Sequence, residues 1–131
     1  MADSRTPPLS PHLTVWKWGP HMLVSILHRV TGGALTVAGL AVLTWWLMAL
    51  AEGGDAYASF TKASTHWAGM VVLIGLTWAF FQHLLSGLRH LVMDSGHGFE
   101  LRTNKLFAVA TVVGSLLLTA ALWVYVLGRA A

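Results

Sequence analysis

This 131-residue chain has no cysteine, so it forms no disulfide and offers no thiolate to zinc or to an iron–sulfur cluster. Charge is nearly as scarce: 10% of its residues are Asp, Glu, Lys or Arg, against 56% hydrophobic. At a mean hydropathy of +0.65 the composition is too apolar for a water-soluble domain of this length and implies an integral membrane protein. Alternating apolar strands of about ten residues, the mark of a transmembrane barrel, are absent. Lipid leaves no partner for unpaired backbone, so the apolar runs are expected to be helices and the fold class all-α. Proline is absent beyond position 20; Pro7, Pro8, Pro11 and Pro20 are its four copies. That opening stretch has neither a short apolar run ending in a small-residue cleavage site nor the Arg- and Ser-rich character of an organelle transit sequence. A bacterial inner membrane is the expected address, with a processed mitochondrial protein as the alternative.

What the chain does have is three uncharged runs, 30–50, 67–85 and 106–127, each close to the roughly 20 residues that cross a bilayer as a helix. The expected organisation is a cytoplasmic segment, 1–21, followed by one transmembrane domain, 22–131, with helices at about 22–51, 63–94 and 104–128. The first is longer than one crossing, so its opening turns should lie at the interface. Glu52-Gly53-Gly54-Asp55 should end it, and Ser95-Gly96-His97-Gly98 should end the second. Arg5, Lys17, Arg29, Arg89, Arg102 and Lys105 fall on one side of this arrangement, and Lys62 and Arg129 on the other. The positive-inside bias therefore puts the N-terminus in the cytoplasm. A net charge of +3 dispersed in this way points to lipid rather than nucleic acid. Trp16, Trp18, Trp45, Trp46, Trp67, Trp123 and Tyr125 lie near the span ends, where aromatic belts form.

The polar residues inside these runs carry the chemistry. His83 follows an uncharged stretch from Trp67 to Gln82, and Arg89, His90 and Asp94 follow it within three turns. An intramembrane histidine is a ligand or proton-relay candidate, or else an interhelix hydrogen bond. The start of the first helix carries a second cluster, Ser25, His28, Arg29 and Thr31, in which Ser25 lies three residues from His28 and four from Arg29, on one helical face. Antiparallel spans bring both clusters to the same, cytoplasmic side. A haem would take His83 as axial ligand, with its propionates near His28, Arg29, Arg89 or His90, and a second ligand would have to approach from the opposite face of the ring, which one helix cannot supply. A quinone would take donors from Ser25 and Arg29; the plainer role for Arg29 is a snorkelling anchor. Asp94 is expected to pair with Arg89 or His90, or to contact a partner. The glycines within the spans serve close packing or make room for a flat cofactor.

Two motifs, Pro8-Leu-Ser-Pro-His-Leu13 through Pro20 to Ser25-Ile-Leu-His-Arg-Val-Thr31, and His83-x-x-x-Gly87-Leu-Arg89-His90-Leu-x-Met-Asp94-x-Gly96, resemble those of the cytochrome b subunit of succinate dehydrogenase. The resemblance covers nearly the whole chain, and departs at Pro7-Pro8, where the family opens with Arg-Pro. It implies that His83 ligates the iron of a haem b shared with a small membrane-anchor subunit, and that His28 and Arg29 lie by the propionates, with His90 beside them. It further implies that Ser25 and Arg29 line a ubiquinone site, and that an iron–sulfur subunit and a flavoprotein subunit complete the complex. The chain would then contribute to quinone reduction without being active alone. Alternatives are a fumarate reductase anchor running the reverse reaction and a non-redox membrane scaffold.

Overall fold

Pro20 opens the first helix, α1 (Pro20–Ala34), where its fixed φ suits the first turn and its missing N–H has no partner to lose. The Gly19 carbonyl accepts the N–H groups of Met22 and Leu23 at 3.0 and 3.2 Å. The computed structural model describes residues 18–130; the expectations placed on 1–17, including Arg5, Pro7-Pro8, Trp16 and Lys17, lie outside the described residues. A π-helical turn, Leu35–Gly39, carries α1 into α2 (Leu40–Glu52), so the first span is a single rod, Pro20–Glu52. Its π turn was not foreseen. Thr36 marks it by donating its hydroxyl to the Gly32 carbonyl at 2.9 Å, and such widened turns are concentrated next to functional sites.

Gly53 and Gly54, at φ +68° and +48°, occupy the left-handed region that side chains avoid, and there the rod stops. The chain does not then run as a loop into the second span. A separate polar helix, α3 (Gly54–Thr65), comes first. It is held to α2 by Phe60, whose ring meets Trp45 edge to face at 5.0 Å. The hydroxyls of Ser64 and Thr65 donate to the Thr61 carbonyl at 3.0 and 2.7 Å, satisfying part of the exposed helix end. The second span expected from 63 therefore begins later, as α4 (Trp67–Asp94). The break has a local cause: His66 is extended (φ −66°, ψ 149°) and its Nδ1 accepts the Ala68 N–H at 3.3 Å, an N-cap written in an unusual residue.

At the far end of α4, Gly96 and Gly98 take φ +87° and +80° and turn the chain into α5 (Leu101–Ala130). That helix starts nearly a turn before the expected 104 because the Glu100 carbonyl already accepts the Asn104 N–H at 2.8 Å. No strand occurs among the described residues, and three helices are long and apolar enough to cross a membrane: Pro20–Glu52, Trp67–Asp94 and Leu101–Arg129. Their most apolar windows are only 6%, 11% and 22% buried within the chain. Outward-facing Leu, Val, Phe and Trp thus need lipid or partner helices around them.

What the helices do bury against each other is small or polar. Ala79 on α4 and Ala108 on α5 are buried, and residues this small let backbones approach. Along the same seam the buried Gln82 donates Nε2 to Ser86 Oγ at 3.1 Å and accepts from Ser115 Oγ at 2.7 Å. Further along, Arg89 donates to Asn104 Oδ1. The expected pairing of Asp94 with Arg89 is not seen: Asp94 is exposed, whereas Arg89 is 8% exposed and turned toward α5. The α1–α4 contact uses Thr31, 1% exposed, and it holds the site.

Candidate functional site

His28 and His83 face each other across the α1–α4 contact. Their rings stack in parallel, with centroids 4.0 Å apart and planes 5° apart. His90, two turns further along α4, sets its ring edge toward His28 at 5.4 Å. His28 from the first cluster and His83 and His90 from the second do come together. The local reason is antiparallel pairing: His28, about two turns into α1, lies level with His83, about three turns before the end of α4, and positions 83 and 90, seven apart, share a face.

His83 is gripped on one edge only. Its Nδ1 lies 3.1 Å from the His28 carbonyl oxygen and 3.3 Å from Thr31 Oγ1, while Nε2 makes no hydrogen bond among the described residues. Gly32 provides the room: a Cβ there would stand 2.9 Å from Cε1 of His83 and 3.4 Å from Nδ1. Gly32→Ala is accordingly expected to force the ring or the helix pair apart and to destabilise the assembled protein by about 1–3 kcal/mol. A thermal melt in detergent checks this, and an unchanged transition would show that the notch is not tight.

The remaining predicted residues are arranged more loosely. Ser25 is half-buried on α1 and its hydroxyl makes no hydrogen bond among the described residues; Arg29 is exposed. Both are one turn or less from His28, at the end of the span where the two clusters meet. Nothing in the described residues ties them to His83; Ser25 is as buried as His28 and His83, while Arg29 and His90 are exposed and form an open rim. Nδ1 of His28 is buried without a partner. An apolar cavity of about 580 Å³ lies farther up the bundle, lined by Trp46, Phe60, Leu73, Phe80 and Phe81. It contains no ionisable side chain and stands apart from the histidines, so it offers bulk and no chemistry.

Sequence reasoning passed over three contributors: Thr31 as a partner of His83, Gly32 as its notch, and the Gln82–Ser86–Ser115 chain that orients α4 one residue away from His83. The last was detectable. Thr111, Ser115 and Thr119 recur every four residues, and polar groups on one stripe of a membrane helix imply a partner stripe.

The arrangement as a whole is one imidazole fixed through Nδ1, a free Nε2, a second histidine flat against it and a cationic rim at one end of three apolar spans. No group of three His, Asp or Glu among the described residues is placed to hold a bare metal ion. What the site offers is one imidazole nitrogen with a lone pair to donate, at the meeting of α1 and α4.

Residues 3–122 match the family model described as succinate dehydrogenase/fumarate reductase transmembrane subunit. The chain is similar to the succinate dehydrogenase cytochrome b556 subunit of Paracoccus denitrificans, 41% identical over 111 residues and 85% of each chain. It is similar to that of Rickettsia felis, 38% identical over 117 residues, 89% of this chain and 90% of the relative. With the mitochondrial succinate dehydrogenase cytochrome b560 subunit of Mus musculus it shares 33% identity over 108 residues, 81% of this chain and 63% of the mouse protein. The spans, the paired motifs and these matches converge, and the chain belongs to the succinate dehydrogenase/fumarate reductase transmembrane-subunit family.

Proposed function

We propose that the chain is the haem b-carrying anchor of a succinate:ubiquinone oxidoreductase in a bacterial inner membrane, with its N-terminus in the cytoplasm. It would seat the iron–sulfur and flavoprotein subunits on the membrane, pair with a small anchor subunit and form part of the site where ubiquinone is reduced. The observation that carries this reading is the His83 imidazole, whose Nδ1 edge is held by the His28 carbonyl and Thr31 while Nε2 is free. A ligating histidine is ordinarily oriented in this way by a backbone acceptor on its other nitrogen.

The residues present fit a haem. In this reading His83 Nε2 would hold the haem iron, and the buried Nδ1 of His28, which has no hydrogen-bond partner among the described residues, would be available to the same group. His28, Arg29 and His90 would meet the propionates, for which a cation and imidazole N–H groups are suited. When bound, the haem supplies a one-electron reservoir beside the quinone. The chain's own residues do the rest. Arg29 and Ser25 offer N–H and O–H donors to the quinone carbonyl oxygens, and these bonds strengthen as negative charge develops on the oxygens during reduction. The apolar span walls keep water from the ring. Because the chain has no cysteine, electrons must arrive from a partner's redox centre. The relatives described above carry succinate dehydrogenase names, which favours succinate oxidation over the reverse reaction.

The test is a dithionite-reduced minus oxidised spectrum of the purified complex, wild type against His83→Ala. Loss or displacement of a b-type band in the variant is the expected result. An unchanged band would move the ligand to another histidine, and no band in the wild type would leave a haem-free anchor or a scaffold.

A further inference from the structure

Two acceptors and no donor surround Nδ1 of His83. The His28 carbonyl, 3.1 Å away, can only accept. The Thr31 hydroxyl, at 3.3 Å, has a closer claim on its own proton, because Oγ1 lies 2.7 Å from the Leu27 carbonyl. With the hydroxyl hydrogen turned to Leu27, the oxygen presents a lone pair to the imidazole. The ring proton therefore sits on Nδ1, and Nε2 keeps its lone pair. The ring cannot easily turn away from this arrangement: Gly32 leaves room for it and no more, and the His28 ring lies flat against it at 4.0 Å. Thr31 is 1% exposed, so water does not compete for the contact.

We propose that Thr31 is a positioning residue for His83, fixing the ring proton on Nδ1 and the ring's angle about its bond to Cβ, and thereby making Nε2 the ligating nitrogen and setting its donor strength. This rests on the haem reading given above. Among the described residues Thr31 hydrogen-bonds the imidazole and its own helix and nothing else, so its polar effect passes through His83. An acceptor on the far nitrogen gives a metal-bound imidazole more anionic character and makes it a stronger donor to the oxidised metal. Removing one of the two acceptors weakens that donation and favours the reduced state. A merely structural Thr31, satisfied on its own helix through Leu27 and His28, would leave the potential where it is.

The test uses the detergent-purified whole complex with wild-type chain, Thr31→Val, Thr31→Ser and His83→Ala. Readouts are a redox titration of the b-band and the low-temperature paramagnetic resonance of the oxidised haem. Valine keeps the shape and loses the acceptor. The expected result is a b-band retained at a raised midpoint potential with a displaced high-g signal, both returned to wild type by serine. Loss of the haem from an assembled Thr31→Val complex, restored by serine, supports the proposal in a stronger form. If Thr31→Val does not assemble, Thr31→Ala is read the same way. A titration and resonance unchanged in the acceptor-less variant, beside a His83→Ala that loses the band, overturns the role of Thr31 and leaves the haem reading standing. A wild type without haem, or His83→Ala with its band intact, overturns the haem reading itself.

Discussion

Arg29→Ala is expected to lower kcat/KM for quinone reduction by the assembled complex by about 10- to 100-fold, and by more than His83→Ala does. The magnitude follows from one lost hydrogen bond from a charged donor, worth about 1.5–3 kcal/mol, at about 1.4 kcal/mol for each tenfold in rate. Arg29 is exposed on α1, one residue from the histidine that stacks on His83, and makes no ion pair among the described residues. Its guanidinium is thus free to meet a ligand at the rim. Ser25→Ala should cost less, about three- to tenfold, because a neutral hydroxyl donor is worth about 1 kcal/mol. His83→Ala should act mainly on the spectrum if electrons pass from the iron–sulfur partner straight to the quinone. Succinate oxidation with a soluble artificial acceptor, which bypasses the membrane site, serves as the control and should stay at wild-type rate in all three. Equal quinone turnover in Arg29→Ala, Ser25→Ala and His83→Ala would sink the ranking and return Arg29 to the role of a topology anchor.

Asn104→Leu is expected to be the most destabilising single change on the α4–α5 seam, at about 3 kcal/mol. Arg89 is 8% exposed, its Nε is buried without a partner, and Asn104 Oδ1 is the one acceptor its side chain reaches among the described residues. Removing that acceptor strands a charged donor in an apolar setting, where a buried group loses more than the bond was worth. The double variant Arg89→Met/Asn104→Leu removes both partners and should recover most of the loss. Thermal unfolding of the purified complex in detergent, compared across the two single variants and the double, measures this. A double variant no more stable than Asn104→Leu would mean that the guanidinium has a further partner in the assembled complex.

Much of the architecture was legible in the residues. Hydropathy located the three spans, since a bilayer accepts only backbone that satisfies itself and long uncharged runs have no other use. Gly53-Gly54 and Gly96 with Gly98 announced the breaks, because positive φ is where glycine has no competitor. The grouping of His28, His83 and His90 followed from helix period and antiparallel order alone. Residues 52–62 fall between the expected helices because they lack an apolar run, yet Gly54–Thr65 is a helix held through Phe60 on Trp45. Its stability is tertiary, and periodicity in a short polar segment does not carry that information. The π turn at Leu35–Gly39 is likewise silent in the composition.

The chain by itself determined the class of the protein, the place of each ionisable group along its span and which clusters share an end of the helix pair, because each of these depends on length, hydropathy and helical period. Tertiary structure decided which side chains meet. It gave Arg89 to Asn104 rather than Asp94, joined Thr31 to the imidazole of His83 and opened the notch at Gly32. Those choices depend on how far each helix is rotated and how closely two backbones approach. Ala79 and Ala108, Gly32 and the Gln82–Ser115 hydrogen bond set that distance jointly, and only the packed pair of helices contains it.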